Sequence, residues 1–138
     1  MENKMLPNMK EINTLLKNCK TIAVVGLSPK ENRPSNQVAR YLQDVGYRVI
    51  PVNPGQEEIL GETCYPSLLD IPEPVDVVDI FRRSEEVLPV VEQAVKIKAK
   101  AVWMQQGIIN EEAAGLARSN GLTVVMDRCM KIDHADLL

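Results

Sequence analysis

Five short apolar runs punctuate the chain: Thr21–Gly26 (TIAVVG), Arg48–Val52 (RVIPV), Val75–Phe81 (VDVVDIF), Ala101–Met104 (AVWM) and Leu122–Met126 (LTVVM). Each is apolar on successive rather than alternate positions and rich in β-branched residues, the pattern of strands buried on both faces. The segments between most of them carry a helical period. Val38, Tyr41, Leu42 and Val45 lie on one stripe that closes at Gly46, a C′ glycine. Ser84 is read as a cap, with Glu85 and Glu86 in the first turn, for a helix whose stripe is Val87, Val90, Val91, Ala94 and Val95; Pro89 comes early enough to be tolerated. Asn110 caps a third helix that stops at Gly121. Shorter helices are expected at Met9–Asn18 and Met130–Leu138, while "EEILGETCYPSLLDIPEP" reads as loop with short extended pieces. Strands joined by crossover helices demand a parallel sheet with right-handed connections. The expected fold is therefore α/β: a three-layer, Rossmann-like, doubly wound domain with a mainly parallel sheet of about five strands. It spans residues 21–138, behind a helical lead-in at 1–20.

A chain of 138 residues buries roughly 68–70% of its unfolded surface, enough for one core. Several function classes are disfavoured at once. A net charge of −3 and an aromatic content of 4% argue against a nucleic-acid partner, which calls for basic patches and stacking platforms. No apolar run approaches the roughly 20 residues of a membrane span, and the start of the chain lacks a signal-peptide core, so the expected location is cytoplasmic. Cys19, Cys64 and Cys129 are odd in number and widely spaced, as reduced thiols rather than a disulfide framework or zinc site.

Ligands of doubly wound sheets collect at the carboxyl ends of the strands, where the strand order reverses. That rule nominates Gly26–Arg33, Asn53-Pro54, Phe81–Ser84 and Gln105–Gly107. In "VVGLSPKENRPSNQ", Gly26 allows a sharp turn and close approach, Ser28 offers a hydroxyl, and Lys30 and Arg33 offer positive charge. With Pro34 at the first helical position, the N–H groups of Ser35 and Asn36 are expected to face the loop as an anion site. From Ser28 to Arg40 there are three cations and one acid, Glu31. The second and third glycines of a dinucleotide fingerprint are missing, and Asn53 stands where an Asp or Glu would chelate the ribose hydroxyls. A neutral amide near Lys30 or Arg33 tolerates a ribose phosphate. NADP and coenzyme A both meet that condition.

"VVGLSPKENRPSNQVARYLQDVGYRVIPVNP", then "VDVVDIFRRSEEV", "VWMQQGI" and "MDRCMKIDH", in that order, resemble the small stand-alone coenzyme-A-binding proteins. That family is similar to the CoA-binding domain of succinyl-CoA synthetase α subunits and ADP-forming acyl-CoA ligases. The resemblance runs from about Thr21 to the end of the chain and implies a CoA-binding Rossmann-like fold. It implies that Gly26, Leu27, Ser28, Lys30 and Arg33 hold the diphosphate or ribose phosphate. Asn53 and Pro54 then border the adenosine, Phe81 and Arg82 line the middle of the cleft, and Gln105, Gln106 and Gly107 lie towards the pantetheine. Arg83 is expected to pair with Glu85 and Glu86 at the surface.

Chemistry on the ligand is harder to place. The ligases of the resembling kind rely on a phosphorylated histidine and an ATP-grasp partner. Here the single histidine, His134, is four residues from the end. Cys129, between Arg128 and Lys131, is the thiol most open to reaction, although cysteines after apolar strands more often serve packing. Asp127 and Asp133 are expected at the surface or as caps, and Trp103 and Met104 in the core or cleft wall. Two readings stand: a non-catalytic carrier, sensor or regulatory module for CoA or acyl-CoA, or an NADP-dependent oxidoreductase or CoA-linked thiol or transfer enzyme using Cys129. A protein partner or a homo-oligomer stays open.

Overall fold

In the computed structural model, which describes residues 8–138, strands and helices alternate as the periodicity predicts. The elements are α1 (Met9–Asn18), β1 (Thr21–Val25), α2 (Pro34–Asp44), β2 (Arg48–Val52), β3 (Glu58–Ile59), β4 (Glu62–Thr63), β5 (Val77–Ile80), α3 (Val87–Lys96), β6 (Ala101–Met104), α4 (Glu111–Ser119), β7 (Thr123–Met126) and α5 (Met130–Leu137). Residues 1–7 of the expected lead-in lie outside the described residues.

The main sheet runs β2-β1-β5-β6-β7 with every pair parallel. One further bridge extends it: Tyr65 pairs in parallel with Val52, its N–H donating to Pro51 O and its carbonyl accepting from Asn53 N. Counting Tyr65 as a vestigial third strand, the order is the 3-2-1-4-5-6 of a Rossmann sheet, and the reversal falls between β1 and β5. β3 and β4 form a separate hairpin within the glycine- and proline-rich stretch.

The sheet is covered on both sides. One face packs Val78, Ile80 and Val102 against Val87, Val91 and Ala94 of α3 and Ala113, Ala114 and Ala117 of α4. The other packs Ile22, Val24 and Trp103 against Ile12 and Leu16 of α1, Val38 and Leu42 of α2 and Met130 of α5. Trp103 is fully buried, and its Nε1–H donates to Arg128 O at 2.8 Å.

Three helices end alike. In α2, α3 and α4 the N–H at C″ reaches back to the C3 carbonyl (Tyr47 to Leu42, Ala99 to Ala94, Leu122 to Ala117), and the C′ residue has positive φ. That is the Schellman arrangement. Gly46 and Gly121 supply two of the C′ residues; Lys98, at φ 60°, supplies the third without a glycine's freedom.

Two local expectations change. Ser84 does not cap α3: it opens a single 3₁₀ turn, Ser84–Glu86, and its Oγ accepts from Ile109 N instead. Pro89, third in α3, sits where a backbone N–H has no helical acceptor, so its ring breaks no bond. Asp133 is not at the surface. It is 3% exposed and takes both Arg128 Nε (2.6 Å) and Nη2 (2.9 Å) on its carboxylate.

Candidate functional site

The loops at the reversal point enclose an open cleft of about 790 Å³. Gly26, Ser28, Lys30, Arg33, Pro34 and Ser35 form one wall; Phe81, Arg82, Arg83, Ser84 and Glu85 form the opposite one; Gly107 and Ile108 close the end over β6. A second chamber of about 410 Å³ shares Arg82 and Glu85 with it. Its walls include Val25, Val52, Pro66, Ser67, Pro89, Val90 and Gln93.

The β1–α2 loop is built by buried polar side chains. Ser35 Oγ accepts from Ser28 N (3.0 Å), Ser28 Oγ accepts from Lys30 N (3.1 Å), and Asn36 Nδ2 donates to Ser28 O (2.9 Å). Arg40 braces Asn36 Oδ1 and Glu31 O in turn. Asn36 is 1% exposed, so it is a strut beneath the loop. Pro34 takes the first helical position as expected, and Arg33 at the N-cap gives no side-chain cap. Of the two N–H groups expected to be free, Asn36's donates to Arg33 O, whereas Ser35's has no acceptor among the described residues.

The opposite wall is bolted to the β6 loop. Ser84 Oγ accepts from Ile109 N (3.0 Å), Ser84 O accepts from Asn110 Nδ2 (2.8 Å), and Asp127 Oδ1 accepts from Gly107 N (2.7 Å). These ties were not legible in the sequence, since Ser84 and Asn110 read equally well as helix caps. Gly26 has a different reason for being glycine than loop flexibility alone. At φ 87°, a Cβ there would lie 2.2 Å from Phe81 O, so glycine is needed for the β1 and β5 loops to pass each other.

Of the expected site residues, Gly26, Ser28, Lys30, Arg33, Phe81, Arg82 and Gly107 line the main cleft. Leu27 is fully buried behind the loop, where its carbonyl accepts from Asn53 Nδ2. Asn53 Oδ1 accepts from Gly55 N, so both ends of this amide are engaged within the chain. Pro54 and Gln106 are exposed beyond the lining, and Gln105 turns inward, its Oε1 accepting from Met130 N.

Lys30, Arg33 and Arg82 make no ion pair among the described residues. Arg83 does, with Glu86 at 3.1 Å and Glu85 at 4.0 Å. The cleft thus keeps unneutralised positive charge in an acidic protein.

The three cysteines and the histidine lie outside the cleft lining. Cys129 is the N-cap of α5 and outside the cleft lining. Cys19 is buried, which pushes its thiol up to about 11. His134 Nδ1 meets Tyr41 OH at 2.7 Å, and its ring lies edge-on to both Tyr41 and Tyr47. Among the described residues no cluster of His, Cys, Asp and Glu could hold a metal ion, and no helix is long and apolar enough to cross a membrane.

One titratable group escaped the sequence reading. Asp79 sits mid-strand in β5, register-matched to Val24 and Trp103, fully buried, with neither carboxylate oxygen bonded. Burial raises its pKa well above the usual carboxylate range.

A doubly wound parallel sheet with a cationic cleft at its reversal point defines a nucleotide-binding class of α/β protein. Comparison with known proteins narrows this: residues 20–135 match the model of the CoA binding domain, and the chain belongs to that family. It is 45% identical over 129 residues to the uncharacterized protein YneT of Bacillus subtilis, covering 94% of this chain and 96% of that one. It is 32% identical to the ADP-forming acetate–CoA ligase I of Archaeoglobus fulgidus, matching 86% of this chain but 19% of the ligase. Among solved structures, a hypothetical protein from Pyrococcus horikoshii superposes with a TM-score of 0.94 at 44% identity, covering 99% of this chain and 96% of that one. A dinucleotide-forming acetyl-coenzyme A synthetase from Ca. Korarchaeum cryptofilum, solved with phosphate and ADP, gives 0.72 at 31% identity, over 83% of this chain and 28% of the synthetase.

Proposed function

We propose that this protein binds coenzyme A or acyl-CoA in the cleft at the carboxyl edge of its sheet, as a non-catalytic carrier, sensor or regulatory module. The observation that carries this reading is one cleft lined by Lys30 and Arg33, beside the Ser35 N–H on one wall, and by Arg82 on the other, with no ion pair to any of the three cations among the described residues. Charge-assisted bonds from such donors suit phosphate oxygens. Ser28, Lys30 and Arg33 hold the diphosphate or ribose phosphate. The apolar walls of the second chamber, Val25, Val52, Pro66 and Pro89, suit the adenine ring. Gly107 and Ile108 face the pantetheine side.

A binding role rather than catalysis is supported by the cleft lining, which holds neither the histidine nor any cysteine. Coenzyme A would bring a thiol able to carry an acyl group; the chain's own residues bind phosphate and orient the arm.

Calorimetry with CoA, dephospho-CoA, NAD and NADP tests the reading. CoA is expected to bind best, and Lys30→Glu or Arg33→Glu to weaken it at least about tenfold. Equal affinity for CoA and dephospho-CoA would remove recognition of the ribose phosphate. No binding of CoA would remove the reading itself.

A further inference from the structure

We propose that a separate cavity at the carboxyl end of β7 is an acyl-group subsite that selects uncharged, apolar acyl chains over dicarboxylic ones. This rests on the CoA reading above. The cavity is about 390 Å³, walled by Ile12, Ile109, Val125 and Met126, with Glu111, Asp127 and Arg128 around them. Nothing in the phosphate-binding reading uses it.

Its position gives it a role. Gly107 and Ile108 line the main cleft, while the next residue, Ile109, lines this cavity. Gly107 N donates to Asp127 Oδ1 at 2.7 Å, so one short turn is the shared wall of the two spaces. From the β1 loop to β7 there are three strand steps, β1-β5-β6-β7. At roughly 4.8 Å each they sum to about 14 Å. The pantetheine arm is a linear chain as long as about four extended residues, roughly 14 Å. With a phosphate held at the β1 loop, this cavity is therefore within reach of the thiol end of the arm.

The lining then sets the chemistry of the occupant. Ile109, 47% exposed, and half-buried Met126 offer aliphatic surface to methylenes, over the buried Ile12 and Val125. The charged groups oppose an anion. Arg128 is already held by both oxygens of Asp133, which leaves Glu111 and Asp127 as the cavity's carboxylates without an ion pair among the described residues. A carboxylate at the end of the acyl chain would meet two like charges.

Calorimetry of the intact protein with CoA, butyryl-CoA and succinyl-CoA reads this directly. Butyryl-CoA is expected to bind about tenfold or more tighter than CoA, and succinyl-CoA no tighter than CoA. Ile109→Asp, at an exposed lining position, should erase the butyryl advantage and leave free CoA within about twofold of its original affinity. Glu111→Lys, on the exposed first turn of α4, should raise succinyl-CoA relative to butyryl-CoA. Butyryl-CoA and CoA binding alike would overturn the subsite while leaving the CoA reading intact. A butyryl advantage untouched by Ile109→Asp and by the cavity-filling Met126→Trp would place the acyl group elsewhere and overturn it too. If none of the three ligands binds, the CoA reading falls and this inference with it.

Discussion

Asp76 and Asp79, three residues apart at the start and middle of the same chain segment, push stability in opposite directions with pH. Burial alone would raise the Asp76 carboxyl, but the N–H groups of Lys20 (2.8 Å) and Thr21 (3.0 Å) and the Lys100 ammonium (3.4 Å) outweigh it and hold it below the usual range. A depressed pKa adds stability that is present above the unfolded value and lost as pH falls through the folded one. Asp79 has a raised pKa, so its folded form keeps a proton that the unfolded chain releases. Its contribution is complete below the unfolded value, near pH 4, and is lost as pH rises towards the folded pKa. Asp79→Asn is therefore expected to flatten the decline of stability towards alkaline pH. Asp76→Asn should destabilise at pH 7 and match the parent near pH 2. Urea unfolding across pH 2–9 checks both signs. Gly26→Ala makes a third prediction at this scale. A methyl 2.2 Å from Phe81 O in a left-handed backbone forces the two cleft walls apart, costing about 2 kcal/mol or more and weakening CoA binding together with stability.

At the scale of elements, the helix ends and the loop ties are where local rules can be tested. Lys98 occupies the C′ position of α3 at φ 60°, doing the work that Gly46 and Gly121 do for α2 and α4. Lys98→Gly should stabilise by about 1 kcal/mol, because a non-glycine residue pays that much in the left-handed region and the site is exposed. Ser84→Ala should have the opposite kind of effect. It removes the acceptor for Ile109 N while leaving the 3₁₀ turn, so thermal stability should fall by about 1 kcal/mol while the wall that carries Arg82 loses one tie to the loop after β6. The expected signature is a faster dissociation of CoA in stopped-flow displacement, larger than the stability change implies.

For the whole molecule, the contrast is between a net charge of −3 and a cleft whose Lys30, Arg33 and Arg82 have no ion pair among the described residues. A polyanionic ligand is then drawn to one edge of a particle that otherwise repels it. Its affinity should fall as salt is raised from about 10 mM to 1 M, where the screening length shrinks from roughly 30 Å to 3 Å. Calorimetry at three salt concentrations measures this, and a flat profile would count against phosphate contacts by these side chains.

The order of elements, the parallel sheet and the cationic loop at Gly26–Arg33 were fixed by local pattern: runs of β-branched residues, helical stripes, a proline at N1, glycines at C′. Each of those signals lives within a few residues, so the chain states it openly. What only the tertiary structure decided is which polar groups are left over once the chain packs. Asn53, expected to border the adenosine, spends both ends of its amide on Leu27 and Gly55; Gln105 turns from the cleft to α5; Asp79 goes into the core unbonded; and Ser84, read as a cap, ties two distant loops together. The physical reason is that a side chain's hydrogen-bond partner across strands depends on register and helix packing, which bring together residues tens of positions apart. No periodicity within the sequence encodes that distance.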